Sequence, residues 1–167
     1  SPILGPKKSG DLLTQPLLES HVALLLLQQF LGDRALLSPF ESYPRYAGPR
    51  EAVFTALCRK NMGCSHFIIG RDHTGVADYY PVDAGQRLFD KLGDVGIEPI
   101  FFPSIAFDGT DGRYKDEQHC DEAWKISGSE ARERLLQQEK LPDWFMSSEV
   151  QEPLIRYAQL EGKFVHD

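Results

Sequence analysis

Residues 66–75 read His-Phe-Ile-Ile-Gly-Arg-Asp-His-Thr-Gly, and they constrain the fold more than any other stretch. Phe67, Ile68 and Ile69 form a short apolar run of the kind that makes a buried strand. Gly70 ends the run, and Arg71, Asp72 and His73 follow without a break. Open α/β sheets hold their ligands just beyond the carboxyl ends of the strands, which is where this charged triplet falls.

The rest of the chain alternates strands with helices. Residues 1–12, rich in Pro, Gly and Lys, read as a strand remnant and loop. Residues 15–31 pattern as a helix, and Leu36 and Leu37 lead into Ser38-Pro39 as a short strand. Pro49 suits a first helical position, where its missing N–H costs nothing. That helix runs to about Asn61, is expected to bury Val53, Ala56 and Leu57, and stops at Gly63. A helix over 84–92 puts Leu88, Phe89 and Leu92 on one face, and 97–102 is a second buried strand. Residues 107–122 read as a long polar loop and 124–126 as a short strand. Helices follow at about 128–139 and 148–161. The pattern predicts an α/β fold: a parallel sheet with right-handed crossovers and flanking helices, then a C-terminal helical segment. The domain division falls at 1–140 and 141–167.

At 167 residues with a 41% hydrophobic fraction, the chain can bury a real core. Its net charge of −7 argues against a nucleic-acid surface and against an anionic membrane face. An acidic chain that binds an anion must use a local cluster of Arg, His and backbone N–H groups. Cys58, Cys64 and Cys120 are odd in number and widely spaced, which suits a reducing, cytoplasmic setting better than a disulfide framework. The Leu run at 24–27 is too short to span a bilayer, and no signal peptide is read.

Three loops carry chemistry. In Gly70-Arg71-Asp72-His73-Thr74-Gly75, Arg offers a bidentate fork for phosphate or sulfate and His a further donor. The glycines let backbone N–H groups approach an anion. The same loop also reads as an Arg–Asp ion pair after a strand. In Ile126-Ser127-Gly128-Ser129-Glu130, Ser127 and Ser129 flank a helix start, a site for an anion. Ser127 with Glu130 is equally a capping box, and the two readings are compatible. Arg45-Tyr46-Ala47-Gly48-Pro49-Arg50-Glu51 is a third loop feeding a helix start, where Arg45 and Arg50 are phosphate ligands or surface charges, Arg50 the latter. His66 reads as structural. His119 and Cys120, with Asp121 and Glu122, lack the paired spacing of a zinc site, so no protein-held metal is expected. Trp144 and Phe145 read as a packing anchor.

Taken in order, Tyr-Ala-Gly-Pro-Arg-Glu-Ala (46–52), Arg-Lys-Asn (59–61), the 66–75 segment, Asp-Gly-Arg-Tyr (111–114), Ile-Ser-Gly-Ser-Glu-Ala-Arg (126–132) and Pro-Asp-Trp-Phe (142–145) resemble the ATP sulfurylase (sulfate adenylyltransferase) family. The likeness covers nearly the whole chain. It implies a Rossmann-like nucleotidyltransferase fold that joins ATP and sulfate into adenosine 5′-phosphosulfate and pyrophosphate with Mg²⁺, or runs the reverse. It implies ATP contacts from Gly70, Arg71, Asp72 and His73, with Arg71 and His73 catalytic beside the phosphates. It puts Thr74 at sulfate and Ile105 at the adenine, with Arg45, Ser127 and Ser129 as phosphate-side support.

Two departures from the family pattern stand out. Thr74 occupies a position where the family usually carries Ala. The family's Gln-Thr-Arg-Asn-Pro and His-x-x-His, which belong to its first βα unit, do not occur in these 167 residues. The chain, which does not begin with Met, is therefore expected to be the later part of a catalytic domain over 1–140 and to be inactive alone. The alternative is a non-catalytic nucleotide-binding or regulatory module. A sheet lacking a strand also predicts an exposed edge and a homo-oligomer.

Overall fold

Pro49 has no N–H to leave unpaired, and it starts a 13-residue helix, Pro49–Asn61. In the computed structural model, residues 3–5, 7–27, 34–70 and 79–167 are described. They gather into two units, residues 44–123 and residues 1–43 with 124–167. The domain boundary expected at 140/141 lies inside the second of these.

Unit 44–123 is built on a βαβ element. Helix α2 (Pro49–Asn61) precedes strand β1 (His66–Ile69), helix α3 (Ala84–Leu92) and strand β2 (Glu98–Phe101). β1 and β2 pair in parallel, with His66 opposite Glu98, Ile68 opposite Ile100 and Ile69 opposite Phe101. Ala52 and Ala56 of α2, Ile69, Phe89 of α3 and Ile97 form the core, with Val53, Phe67, Val95 and Phe101 packed around it. The Phe89 and Phe101 rings meet edge-on, centroids 5.8 Å apart.

The expected continuous burial of β1 does not hold. Phe67 and Ile69 face the helices, but Ile68 is 61% exposed, as is 37% of its partner Ile100. Helices cover one face of this two-stranded sheet, so burial alternates with the pleat. The buried face of α2 is also rotated from the apolar pattern. Glu51, Thr55 and Arg59 are buried beside Ala52 and Ala56, while Leu57 is exposed. On α3, Phe89 is buried and Leu92 exposed.

The stretch 107–122, expected as loop, is mostly a β-hairpin. Strands β3 (Ile105–Asp108) and β4 (Arg113–Asp116) pair antiparallel, Ile105 opposite Asp116 and Asp108 opposite Arg113. A short 3-10 turn, Glu117–His119, follows. Strand β5 (Ala123–Trp124) completes the order β4-β3-β5.

The other unit is helical: α1 (Thr14–Leu27), α4 (Gly128–Leu136) and α5 (Ser148–Glu161), with α5 packed on both α1 and α4. Its core is Ala131, Leu135, Leu141, Leu154, Ala158 and Phe164, with Phe145 against it. The short strand expected at 36–37 is not formed. That region contributes an isolated parallel bridge between Ile3 and Phe40. α1 is described over Thr14–Leu27, and the expected continuation to residue 31 lies outside the described residues, as do residues 28–33. No helix among the described residues is long and apolar enough to cross a membrane.

Candidate active site

A cleft of about 710 Å³ opens at the carboxyl ends of β1 and β2, a volume in the range of small-molecule sites. Ile69 and Gly70 line it from β1, and Phe101 and Phe102 from β2. Two helix starts border it, Gly48-Pro49 of α2 and Asp83 with Gly85 of α3. Helix N-termini carry free N–H groups and partial positive charge, so two of them beside one cleft favour an anion. The Asp83 carboxylate is neutralised by Arg87 at 2.8 Å. Apolar and aromatic walls (Ile69, Tyr80, Phe101 and Phe102) suit the flat part of a ligand.

The α2 end of the cleft is held by a residue that the sequence reading did not single out. Glu51 is 4% exposed. Its carboxylate accepts the Arg45 N–H at 2.9 and 3.0 Å and the Ala47 N–H at 3.0 Å. The pattern Gly-Pro-x-Glu was a usable signal, because Glu at the third helical position reaches back to unpaired N–H groups. Gly48 sits at φ 52°, ψ −119°, and a Cβ there would lie 2.3 Å from the Tyr80 ring. Only glycine fits this wall of the cleft. At the other end, the Ser104 hydroxyl donates to Glu117 at 2.6 Å, and the Glu117 N–H donates to the Ser104 carbonyl at 2.8 Å.

The residues singled out from sequence fall as follows. Gly70 lines the cleft. Arg71, Asp72, His73 and Thr74 lie outside the described residues. Ile105 begins β3, next to cleft-lining Ser104, and is half exposed. Arg45 lies in the same unit, its guanidinium over the Phe54 ring at 4.5 Å. Ser127 and Ser129 belong to the other unit. Ser127 caps α4, its hydroxyl accepting the Glu130 N–H at 3.1 Å, and Ser129 accepts from Arg132 at 3.3 Å. The capping reading of Ser127 is thus realised.

Other segments of the resemblance are structural. Lys60 donates to the Val95 carbonyl at 2.8 Å, tying the end of α2 to the approach of β2. Asp108, fully buried, accepts from Lys115 at 2.7 Å and from the N–H groups of Thr110, Asp121 and Glu122. Lys115 also pairs with Asp111 at 2.8 Å. These donors hold the Asp108 carboxyl well below the usual carboxylate range, the Lys115 hydrogen bond first among them, and Asp108 in turn raises Lys115. Burial pushes the nearby Cys120 thiol up, which makes it a poor nucleophile.

Comparison with known proteins places this geometry. The solved structure described as hexameric APS kinase from Thiobacillus denitrificans superposes with a TM-score of 0.53 at 23% identity, over 92% of this chain and 30% of that one. The shared class is an α/β fold with a parallel pair and flanking helices. A family model described as ATP-sulfurylase matches residues 1–157, and the chain belongs to that family. The sulfate adenylyltransferase of Symbiobacterium thermophilum is 41% identical over 169 residues, 97% of this chain and 42% of that protein. The Pyrococcus abyssi sulfate adenylyltransferase is 38% identical over 156 residues, 91% of this chain and 41% of that protein. The chain spans about two fifths of the length of these curated relatives.

Proposed function

We propose that these residues form part of a sulfate adenylyltransferase site, joining ATP and sulfate into adenosine 5′-phosphosulfate and pyrophosphate or running the reverse. The observation that carries the reading is the cleft beyond β1 and β2 in a chain of the ATP-sulfurylase family, with Gly70 on its wall. A sulfate oxygen attacks the α-phosphorus in line. The new bond is S–O–P, the bond to the β-phosphate oxygen breaks, and pyrophosphate leaves. No covalent enzyme intermediate is needed, so the protein's part is positioning and charge neutralisation. Arg71 and His73 are the groups proposed beside the phosphates, with Gly70 and Asp72 at ATP, Thr74 at sulfate and Ile105 toward the adenine. Arg45, Ser127 and Ser129 are second-rank candidates, because each already has a partner within its own unit.

Among the described residues, no group of three or more His, Cys, Asp or Glu side chains is placed to hold a metal. Mg²⁺ is proposed to arrive with the nucleotide. Bound so, it neutralises phosphate charge. The protein is proposed to be cytoplasmic and homo-oligomeric.

The test is pyrophosphate release from ATP and sulfate, or molybdate. The 167-residue chain alone is expected to show negligible turnover, since Gln-Thr-Arg-Asn-Pro and His-x-x-His do not occur in it. Measured together with a chain supplying that βα unit, Arg71→Ala and His73→Ala should each lower kcat by about 10²–10³-fold. Undiminished turnover in both variants would exclude the proposed roles.

A further inference from the structure

We propose that Glu51 is a positioning residue for the nucleotide cleft, acting through the backbone of residues 45–48. This rests on the nucleotide reading of the cleft and adds a residue and a mechanism to it. A carboxylate that is almost fully buried is costly unless it is well satisfied. Glu51 is satisfied by main chain: both its oxygens accept from the Arg45 N–H, and one also accepts from the Ala47 N–H. Those bonds fix a segment with two unusual conformations, Tyr46 at φ 53° and Gly48 at φ 52°. Left-handed geometry at a tyrosine persists only when its surroundings over-determine it.

The segment then delivers two surfaces to the cleft. Gly48 and Pro49 form the wall against Tyr80, and α2 begins there with its N-terminus at the cleft. Glu51 lies behind this wall: among the residues that line the cleft, α2 contributes Pro49 and Ala52. It therefore acts by pre-setting the wall rather than by touching ATP, and pre-organisation of this kind lowers the cost of binding.

The experiment compares wild type, Glu51→Gln and Glu51→Asp in the 167-residue chain. Glutamine replaces one acceptor oxygen with an NH₂ group that opposes the backbone donors, while aspartate keeps both oxygens on a shorter arm. Two quantities are read well below the melting midpoint of each variant: amide hydrogen exchange of residues 45–47, and the Kd for ATP with Mg²⁺. Glu51→Gln should speed exchange at 45–47 by roughly tenfold while leaving β1 and β2 protected. It should weaken ATP by about tenfold, and Glu51→Asp should recover part of both. Wild-type affinity in a folded Glu51→Gln chain overturns the positioning role alone. A wild-type chain that binds no ATP overturns the reading of the cleft, and the role of Glu51 in it. Loosened exchange with unchanged ATP affinity leaves Glu51 a purely structural cap and also overturns the proposal.

Discussion

At the scale of single residues, buried carboxylates organise unit 44–123, and they are the part of this protein hardest to read from sequence. Asp108 illustrates why. Its folded pKa lies below its unfolded value because Lys115 and three N–H groups favour the charged form. A depressed carboxylate contributes stability that is fully present above the unfolded pKa and is lost as pH falls toward the folded one. The window therefore opens below about pH 4, where unfolded aspartate takes up its proton. Asp108→Asn should lower the melting temperature at neutral pH and leave a shallower acid decline. The gap between variant and wild type narrows as pH drops below that point. Thermal unfolding by circular dichroism across pH checks this, and parallel curves would show that Asp108 ionisation is not coupled to folding. Nothing in a hydrophobicity pattern marks such a residue. Ser127 was legible because its role is local: a Ser three residues before Glu at a helix start names its own partner.

At the scale of elements, legibility follows the punctuation of the chain. The helices α2, α3 and α5 match their expected bounds because Pro49, Gly93 and Gly162 mark their ends. The β3–β4 hairpin escaped because its inward positions are Ala106 and Asp108, and its interior is satisfied by a charge pair rather than by apolar side chains. The same cause rotated α2, where Glu51, Thr55 and Arg59 recur at every fourth position on the buried face. In the helical unit, Gln151 of α5 is the equivalent device. It is 1% exposed, accepts the Leu141 N–H at 2.7 Å and donates to the carbonyls of Leu141 and Met146. One side chain thus pins the segment between α4 and α5 to the core that Leu141 enters. Gln151→Leu keeps the volume but leaves the Leu141 N–H and carbonyl unpaired. It should cost about 2–4 kcal/mol in urea unfolding, visible as a loss of roughly 4–16 °C in Tm. A change under about 0.5 kcal/mol would mean that water reaches those groups.

For the whole molecule, the α/β class was readable from alternating apolar runs and helical patterns, but the extent of the sheet was not. Periodicity tells which residues suit a strand, and it does not count the strands that pair. Among the described residues, β1 and β2 pair only with each other. A two-stranded sheet is marginal by itself, and this one is stabilised by α2 and α3 on one face. The opposite face presents Ile68 and Ile100 side by side, with Phe102 beyond them half exposed. Exposed apolar side chains gathered on one sheet face favour association with a second apolar surface. The 167-residue chain should therefore self-associate through this sheet. Its light-scattering mass should rise from monomer toward dimer with concentration. Ile68→Lys places a charge in the strip on the face away from the core, so it should hold the chain monomeric with an unchanged circular dichroism spectrum. Lysine there leaves Phe67 and Ile69 packed against the helices. A wild-type chain that stays monomeric at its solubility limit would show that the exposed strip is tolerated, whereas an Ile68→Lys chain that associates as strongly as wild type would show that association runs through another surface.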